Sequence, residues 1–263
     1  MIKKIKATAS VLTYNNQDTL KRCLDSIKEF DEIIISDGGS TDSTLKIAQA
    51  YNCKIIKQSA KGKITDFAKE RNRLIKLAKH DWLFFIDSDE SASKELIREV
   101  RKIVHHNKPG GVQFQFKVFF NQRIIKWYAS YPGWRICLFH KQTKAKFVKP
   151  VHEKLRFKPE YKILSINAPF YRHWNDEYVN NYWQDMDYYL KLEEKNAKKF
   201  TDSDYWKSVL FYLKVITGRV IRVIYFRLFK PKTECMPIIV ECNKIIYYLK
   251  VLFRISLIQV KKL

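Results

Sequence analysis

The sequence has no cysteine pair in CxxC spacing, no internal repeat, no low-complexity tract and no uninterrupted apolar run of about 18 residues. Its five cysteines, Cys23, Cys53, Cys137, Cys235 and Cys242, are odd in number and scattered, which argues against a zinc site and for reduced thiols in an intracellular setting. Every apolar run near the C-terminus is broken by Lys or Arg, so no segment is expected to span a bilayer. The opening Met1-Ile2-Lys3-Lys4-Ile5-Lys6 is basic, but too little apolar length succeeds it for a signal peptide, and it leads into a first strand. Acids are scarce: 27 Asp and Glu face 50 Lys and Arg, a formal charge of +23. That imbalance attracts polyanions, whether nucleic acid, anionic lipid or phosphorylated glycolipid, without choosing among them.

With 46% hydrophobic and 14% aromatic residues, the 263-residue chain can bury a sizeable core. β-rich runs at 5–12, 32–36, 53–57 and 82–86 alternate with helix-like stretches near 17–29, 42–51 and 65–79, and another helix is expected after Ser91. This alternation predicts a parallel sheet flanked by helices. Beyond Pro109-Gly110-Gly111, the runs 112–120 and 123–128 meet across Asn121-Gln122 as a hairpin. Further strands are expected at 135–140 and 151–155, with Pro159 and Pro169 as breaks beyond them, and helices at 176–199, 205–229 and 237–260. From Tyr205 onward there are twelve Lys or Arg and only Glu234 and Glu241 as acids. The helix there gathers Trp206, Leu210, Leu213, Val220, Val223 and Ile224 on one face, which suits a membrane interface or packing against the rest of the chain.

Four constellations can carry chemistry. Leu12-Thr13-Tyr14-Asn15-Asn16 opens a strand end into polar residues, where open α/β sheets bind ligands, although taken alone an ordinary turn with an Asn or Asp helix cap explains it better. Ile33-Ile34-Ile35-Ser36-Asp37-Gly38-Gly39-Ser40-Thr41-Asp42 ends a buried strand in a carboxylate placed to accept from a base or ribose, with glycines that let a ligand approach the backbone; a plain turn explains the glycines equally well, but not the whole string. Ile86-Asp87-Ser88-Asp89-Glu90 sets three acids at a strand mouth. Such clustering is costly without a cation, and hard oxygen ligands suit Mg²⁺ or Mn²⁺ held with substrate phosphates; a solvated helix cap is the alternative. Val151-His152-Glu153, with Arg135 and His173 on either side in sequence, is the fourth.

Taken together, Asn15, the Asp37-Gly38-Gly39-Ser40-Thr41-Asp42 string, Arg71-Asn72 and Asp87-Ser88-Asp89 resemble the family 2 glycosyltransferases of GT-A fold over residues 5–105. Tyr131-Pro132-Gly133-Trp134-Arg135, Val151-His152-Glu153 and Tyr171-Arg172-His173-Trp174 resemble its lipopolysaccharide-core β-glucosyltransferase, WaaE-like, branch to about residue 200. The chain departs from the family in lacking a proline before Tyr14-Asn15 and in carrying Gly38 where many members have a second Asp.

The resemblance implies an α/β fold, a Rossmann-like, mostly parallel mixed sheet flanked by helices, to which the composition beyond residue 200 adds a basic helical C-terminal extension. It divides the chain into a nucleotide-sugar half (1–110), an acceptor and catalytic half (111–200) and the extension (201–263). Thr13, Tyr14 and Asn15 then line the nucleotide, Asp37 beside Gly38 meets the uracil, Arg71 and Arg135 contact the nucleotide or its diphosphate, and Asp87 with Ser88 meets the ribose. Asp89 and His152 would hold Mg²⁺ or Mn²⁺, Glu153 is the expected base and Glu90 its reserve. The implied partners are a UDP-sugar, a glycolipid or saccharide acceptor and an anionic membrane surface, with the protein peripheral on the cytoplasmic face of a bacterial membrane. A nucleotidyltransferase would want a glycine-rich, Arg-containing loop where Thr13-Tyr14-Asn15-Asn16 stands. A nucleic-acid-binding protein would leave the acids at 87–90 unexplained, so no nucleic acid partner is expected.

Overall fold

The alternation of apolar runs and amphipathic stretches takes shape in the computed structural model, which describes residues 3–59, 62–150 and 153–261. Its elements are β1 (Ile5–Thr13), α1 (Gln17–Ile27), β2 (Phe30–Asp37), α2 (Thr44–Ala50), β3 (Lys54–Lys57), α3 (Phe67–Leu77), β4 (Trp82–Phe85), β5 (Glu90–Ala92) and α4 (Lys94–His106). The second half of the chain adds β6 (Gly111–Phe120), β7 (Arg123–Ile125), β8 (Gly133–His140), β9 (Lys146–Val148), β10 (Lys154–Arg156), β11 (Ile163–Trp174), α5 (Asp176–Ala197), α6 (Asp202–Phe229) and α7 (Ile238–Val260). They divide into two compact units, Met1–Lys117 with Pro132–Arg172, and Val118–Tyr131 with His173–Leu263.

In the first unit one sheet runs in the order β3-β2-β1-β4-β8-β6-β11-β5. β3, β2, β1 and β4 are mutually parallel, each joined to the next in sequence through a helix, and β8 then enters antiparallel to β4. β1 is buried at every position except Lys6, as a strand covered on both faces must be. The register sets Thr13 beside Asp37 and Asp37 beside Lys57, so the parallel strands end along one edge. α1 faces the sheet with Leu20, Cys23, Leu24 and Ile27 at helical spacing. Inside, Phe30 stacks on Phe84 with ring centroids 5.3 Å apart.

Three strands escape the sequence reading, the short β9 among them. β5 is only three residues long, and β11 contains Pro169, which in the sequence looks like a break. Proline lacks a donor N–H, yet Pro169 joins the hydrogen bonding through its carbonyl, which accepts the Ser93 N–H at 3.1 Å.

In the second unit the end of β6 pairs with β7, and Asn121 and Gln122 both take positive φ, 47° and 63°. That is the backbone of a tight two-residue hairpin. α5, α6 and α7 pack around Leu190, Tyr212, Tyr247, Val251 and Ile255. Thr201 and Asp204 cap α6 reciprocally. The buried Arg219–Glu241 pair, 2.6 Å apart, links α6 to α7, and Glu241 also accepts the Ala129 N–H at 2.8 Å. No helix among the described residues is long and apolar enough to cross a membrane.

Candidate functional site

The loops leaving β1 and β2 are laced together by side chains. Asp37, 4% exposed, accepts the N–H groups of Gly39 and Ser40 on Oδ2, each at 2.8 Å. Its Oδ1 accepts the hydroxyls of Ser40 at 2.5 Å and Thr13 at 3.1 Å. Asn15 takes the left-handed region, φ 53°, which asparagine tolerates. It donates its N–H to Ser40 Oγ at 2.8 Å and accepts the Thr41 N–H on Oδ1 at 2.9 Å. Tyr14 packs on Gly38. A Cβ at Gly38 would lie 2.6 Å from the Gly62 carbonyl oxygen and 3.0 Å from Tyr14 Cδ2, so close approach of backbone, not φ, demands glycine here. Gly38→Ala should therefore lower stability by roughly 1–3 kcal/mol, read as a drop in melting temperature; an unchanged melt would mean that the Gly62 segment yields without cost.

α3 supplies three consecutive polar side chains that each serve a different neighbour. Glu70, 2% exposed, accepts the hydroxyls of Ser36 at 2.7 Å and Ser59 at 2.8 Å. Asn72 bonds both ways with the Phe147 backbone, at 2.8 and 2.9 Å, and so pins β9. Arg71, buried against the rings of Phe85 and Phe147, donates Nε to Glu153 at 2.8 Å and Nη2 to Asp87 Oδ1 at 2.7 Å.

From Asp87 the ion pairing continues. Arg135 on β8 donates Nη1 to Asp87 Oδ2 at 2.8 Å and Nη2 to Glu90 Oε2, and Arg172 on β11 donates Nε to Glu90 Oε1 at 2.9 Å. The Arg135 and Arg172 guanidinium groups lie over Phe170 and Phe116, each 4.5 Å from the ring centroid. Glu153, Arg71, Asp87, Arg135, Glu90 and Arg172 thus alternate in sign. Burial pushes the Asp87 carboxyl up, but Arg135 and Arg71 outweigh it and hold it below the usual carboxylate range. Glu90, 1% exposed, has both oxygens bonded to arginine.

Asp89 stands outside this alternation. No cation among the described residues lies in ion-pair range of it, and burial, followed by the negative charges of Glu90 and Asp87, pushes its carboxyl up to about 6. A half-buried carboxylate left with excess negative charge is one that a divalent cation would relieve. Among the described residues no group of three or more His, Cys, Asp or Glu side chains is disposed to enclose an ion. A divalent ion at Asp89 would need further oxygen donors from outside these side chains.

Thus Arg71, Asp87, Glu90, Arg135 and Glu153 of the residues singled out in the sequence are joined directly, while Thr13, Asn15 and Asp37 meet in the loops after β1 and β2. Ser88 is buried. His152 lies outside the described residues, and His173 stacks on Phe119 with ring centroids 5.3 Å apart. Sequence reasoning missed the part played by Arg172. Its signal was a period-two pattern, Ala168 and Phe170 buried with Arg172 next on the same face. Gln58 was also missed: 6% exposed, it donates Nε2 to the carbonyls of Thr13 and Ser36 at 3.2 and 3.0 Å, tying β3 to the loop ends.

One segment is 36% identical over 97 residues, 36% of this chain and 23% of the relative, to the SPbeta prophage-derived glycosyltransferase SunS of Bacillus subtilis. Another is 32% identical over 120 residues, 45% of this chain and 41% of the relative, to an uncharacterized glycosyltransferase of Rickettsia felis. The matches thus span less than half the length of either relative. In fold, the chain resembles the crystal structure of S. aureus TarS 1–349 in complex with UDP-GlcNAc, with TM-score 0.50 and 15% identity over 94% of this chain and 90% of that one. The family model described as glycosyl transferase family 2 matches residues 8–183, two thirds of the sequence. On that match, and with a mixed α/β sheet of the GT-A kind beneath it, the chain belongs to glycosyl transferase family 2.

Proposed function

We propose that the protein is an inverting transferase that moves a sugar, with glucose the first choice, from a UDP-sugar to a hydroxyl of a glycolipid of the lipopolysaccharide or lipooligosaccharide core type. The transfer takes place at an anionic membrane surface on the cytoplasmic side of a bacterium. The observation that carries the reading is the alternating series of carboxylates and guanidinium groups around the end of β4, which leaves Asp89 outside it, with no ion-pair contact among the described residues and its carboxyl pushed up despite the charge of Arg172. The complex of TarS with UDP-GlcNAc supports the choice of a uridine nucleotide. Residues 1–110 hold the donor, 111–200 the acceptor and its base, and 201–263 meet the membrane.

In this reading Thr13, Tyr14, Asn15, Asp37 and Gly38 line the nucleotide, their loops already set by the bonds between Asp37, Ser40 and Asn15. Asp87 with Ser88 faces the ribose. Arg71 and Arg135 serve the nucleotide end as positioning residues, since their donors are committed to Asp87, Glu90 and Glu153. Mg²⁺ or Mn²⁺ would be held by Asp89, with His152 as a second donor, and when bound it supplies neutralisation of the charge on the departing diphosphate. Glu153 accepts the proton of the acceptor hydroxyl as that oxygen attacks the anomeric carbon from the face opposite UDP. Arg71 anchors one of its oxygens, and the second is proposed to take that proton. Glu90 has no such oxygen to spare and is not carried forward as a base.

Glu153→Gln should lower kcat by about 10²–10⁴-fold while leaving the Kd for the UDP-sugar within a few-fold of wild type, measured by single-turnover transfer and by calorimetry. An unchanged kcat would remove Glu153 from the chemistry.

A further inference from the structure

Over its 28 residues α6 buries only Tyr212 and Arg219. Seventeen of the twenty-two large apolar side chains exposed among the described residues lie on α6 (ten) and α7 (seven). Six of those on α6 are ordered: Trp206, Leu210, Leu213, Ile221, Ile224 and Leu228 recur at helical spacing, fall within about a quarter of the circumference and are 47–71% exposed. An apolar stripe of that length is a contact surface.

Charge decides what covers it. From Tyr205 onward the only acids are Glu234 and Glu241. Glu241 is buried against Arg219 and Glu234 is bonded to Lys126, whereas Lys207, Lys214 and Arg222 are exposed on α6. Lys207 and Lys214 project at one border of the stripe. A second copy of the chain would set like charges against each other along the seam, and a nucleic acid would match the cations while offering nothing to the Leu and Ile side chains. A bilayer containing anionic lipid answers both needs.

We propose that α6 lies along an anionic membrane surface, with the stripe from Trp206 to Leu228 in the interface and Lys207 and Lys214 at the level of the lipid phosphates. This deepens the membrane-surface part of the reading above and is independent of the donor chemistry. The test is co-sedimentation of the whole protein with vesicles of phosphatidylcholine alone or with one third phosphatidylglycerol. Binding to the anionic vesicles should be at least about tenfold tighter and should weaken with salt. Leu210→Asp/Ile224→Asp/Leu228→Asp should lose about tenfold or more of that binding, and Lys207→Glu/Lys214→Glu several-fold with the stripe intact. Both variants alter exposed positions, so each should keep the wild-type melting temperature and UDP binding. Equal affinity for the two vesicle types, or wild-type binding in the variants, overturns the proposal. So does a wild-type dimer that the triple variant dissociates in the absence of vesicles, since a second copy would then cover the stripe. Wild type that binds vesicles but no UDP would instead defeat the donor reading alone.

Discussion

Asp89→Asn is expected to cut sugar transfer by a factor of about 10³ or more and, in EDTA, to make the protein harder to unfold at pH 8. The two effects have one cause. Asp89 carries a charge that burial, Glu90 and Asp87 all oppose, so its carboxyl titrates near 6, above its ordinary value of 3.8. A carboxyl whose folded pKa is raised contributes stability that is complete below the unfolded value and is lost as the pH rises through the folded one. The metal-free wild type should therefore weaken between about pH 4 and pH 7 by an amount on the order of 1–3 kcal/mol. The Asp89→Asn variant, with no carboxyl to ionise there, is spared that loss, so the two melting curves should converge near pH 4 and separate above about pH 6. Adding Mn²⁺ should raise the melting temperature of the wild type and not of the variant. If Asp89→Asn destabilises at pH 8, the carboxylate is not in excess and the metal assignment loses its footing.

Arg135→Met should have the largest effect on folding. It leaves Asp87 with Arg71 alone and Glu90 with Arg172 alone, in a place where Glu90 is 1% exposed. Removing one partner of a buried ion pair costs about 3–5 kcal/mol. Arg135 is 27% exposed at its side chain, which puts the expected loss near 3 kcal/mol and the fall in melting temperature at roughly 6–12 °C. Arg135→Lys should recover little, because an ammonium group cannot meet two carboxylates with separate, fixed donors while lying over the Phe170 ring. Adding Glu90→Gln to Arg135→Met should restore part of the stability by removing the stranded charge. Additive losses in the double variant would mean that Arg135 and Glu90 act separately, against the alternation described above.

Much of this arrangement is legible in the sequence because it is local. The parallel strands announce themselves as apolar runs, and part of the string from Asp37 to Asp42 closes through bonds within three residues in sequence, such as Ser40 to Asp37. The hairpin at Asn121-Gln122 follows from asparagine's tolerance of positive φ. The features that the sequence conceals are non-local. Arg71 meets Glu153 across 82 positions, and Arg172 meets Glu90 across another 82; the alternation before Arg172 marks its face of the strand, but nothing local marks either partner. Glu90 illustrates the difficulty, for beside Asp87 and Asp89 it reads as one more acid at the site, and only Arg135 and Arg172 make it a counter-ion. β11 was hidden because Pro169 resembles a break, and with it went the placement of Arg172.

Transfer of sugar from a uridine nucleotide is the activity that all of these proposed roles serve. The measurement that reaches it most directly is release of UDP by the purified protein from a panel of UDP-sugars, with bacterial glycolipid present and with Mn²⁺ or EDTA. Turnover of at least one UDP-sugar that needs the cation, stops in EDTA and is lost in Asp89→Asn is the predicted result. Failure of every UDP-sugar to bind or turn over, in a folded preparation that instead binds DNA with a steep dependence on salt, would contradict it.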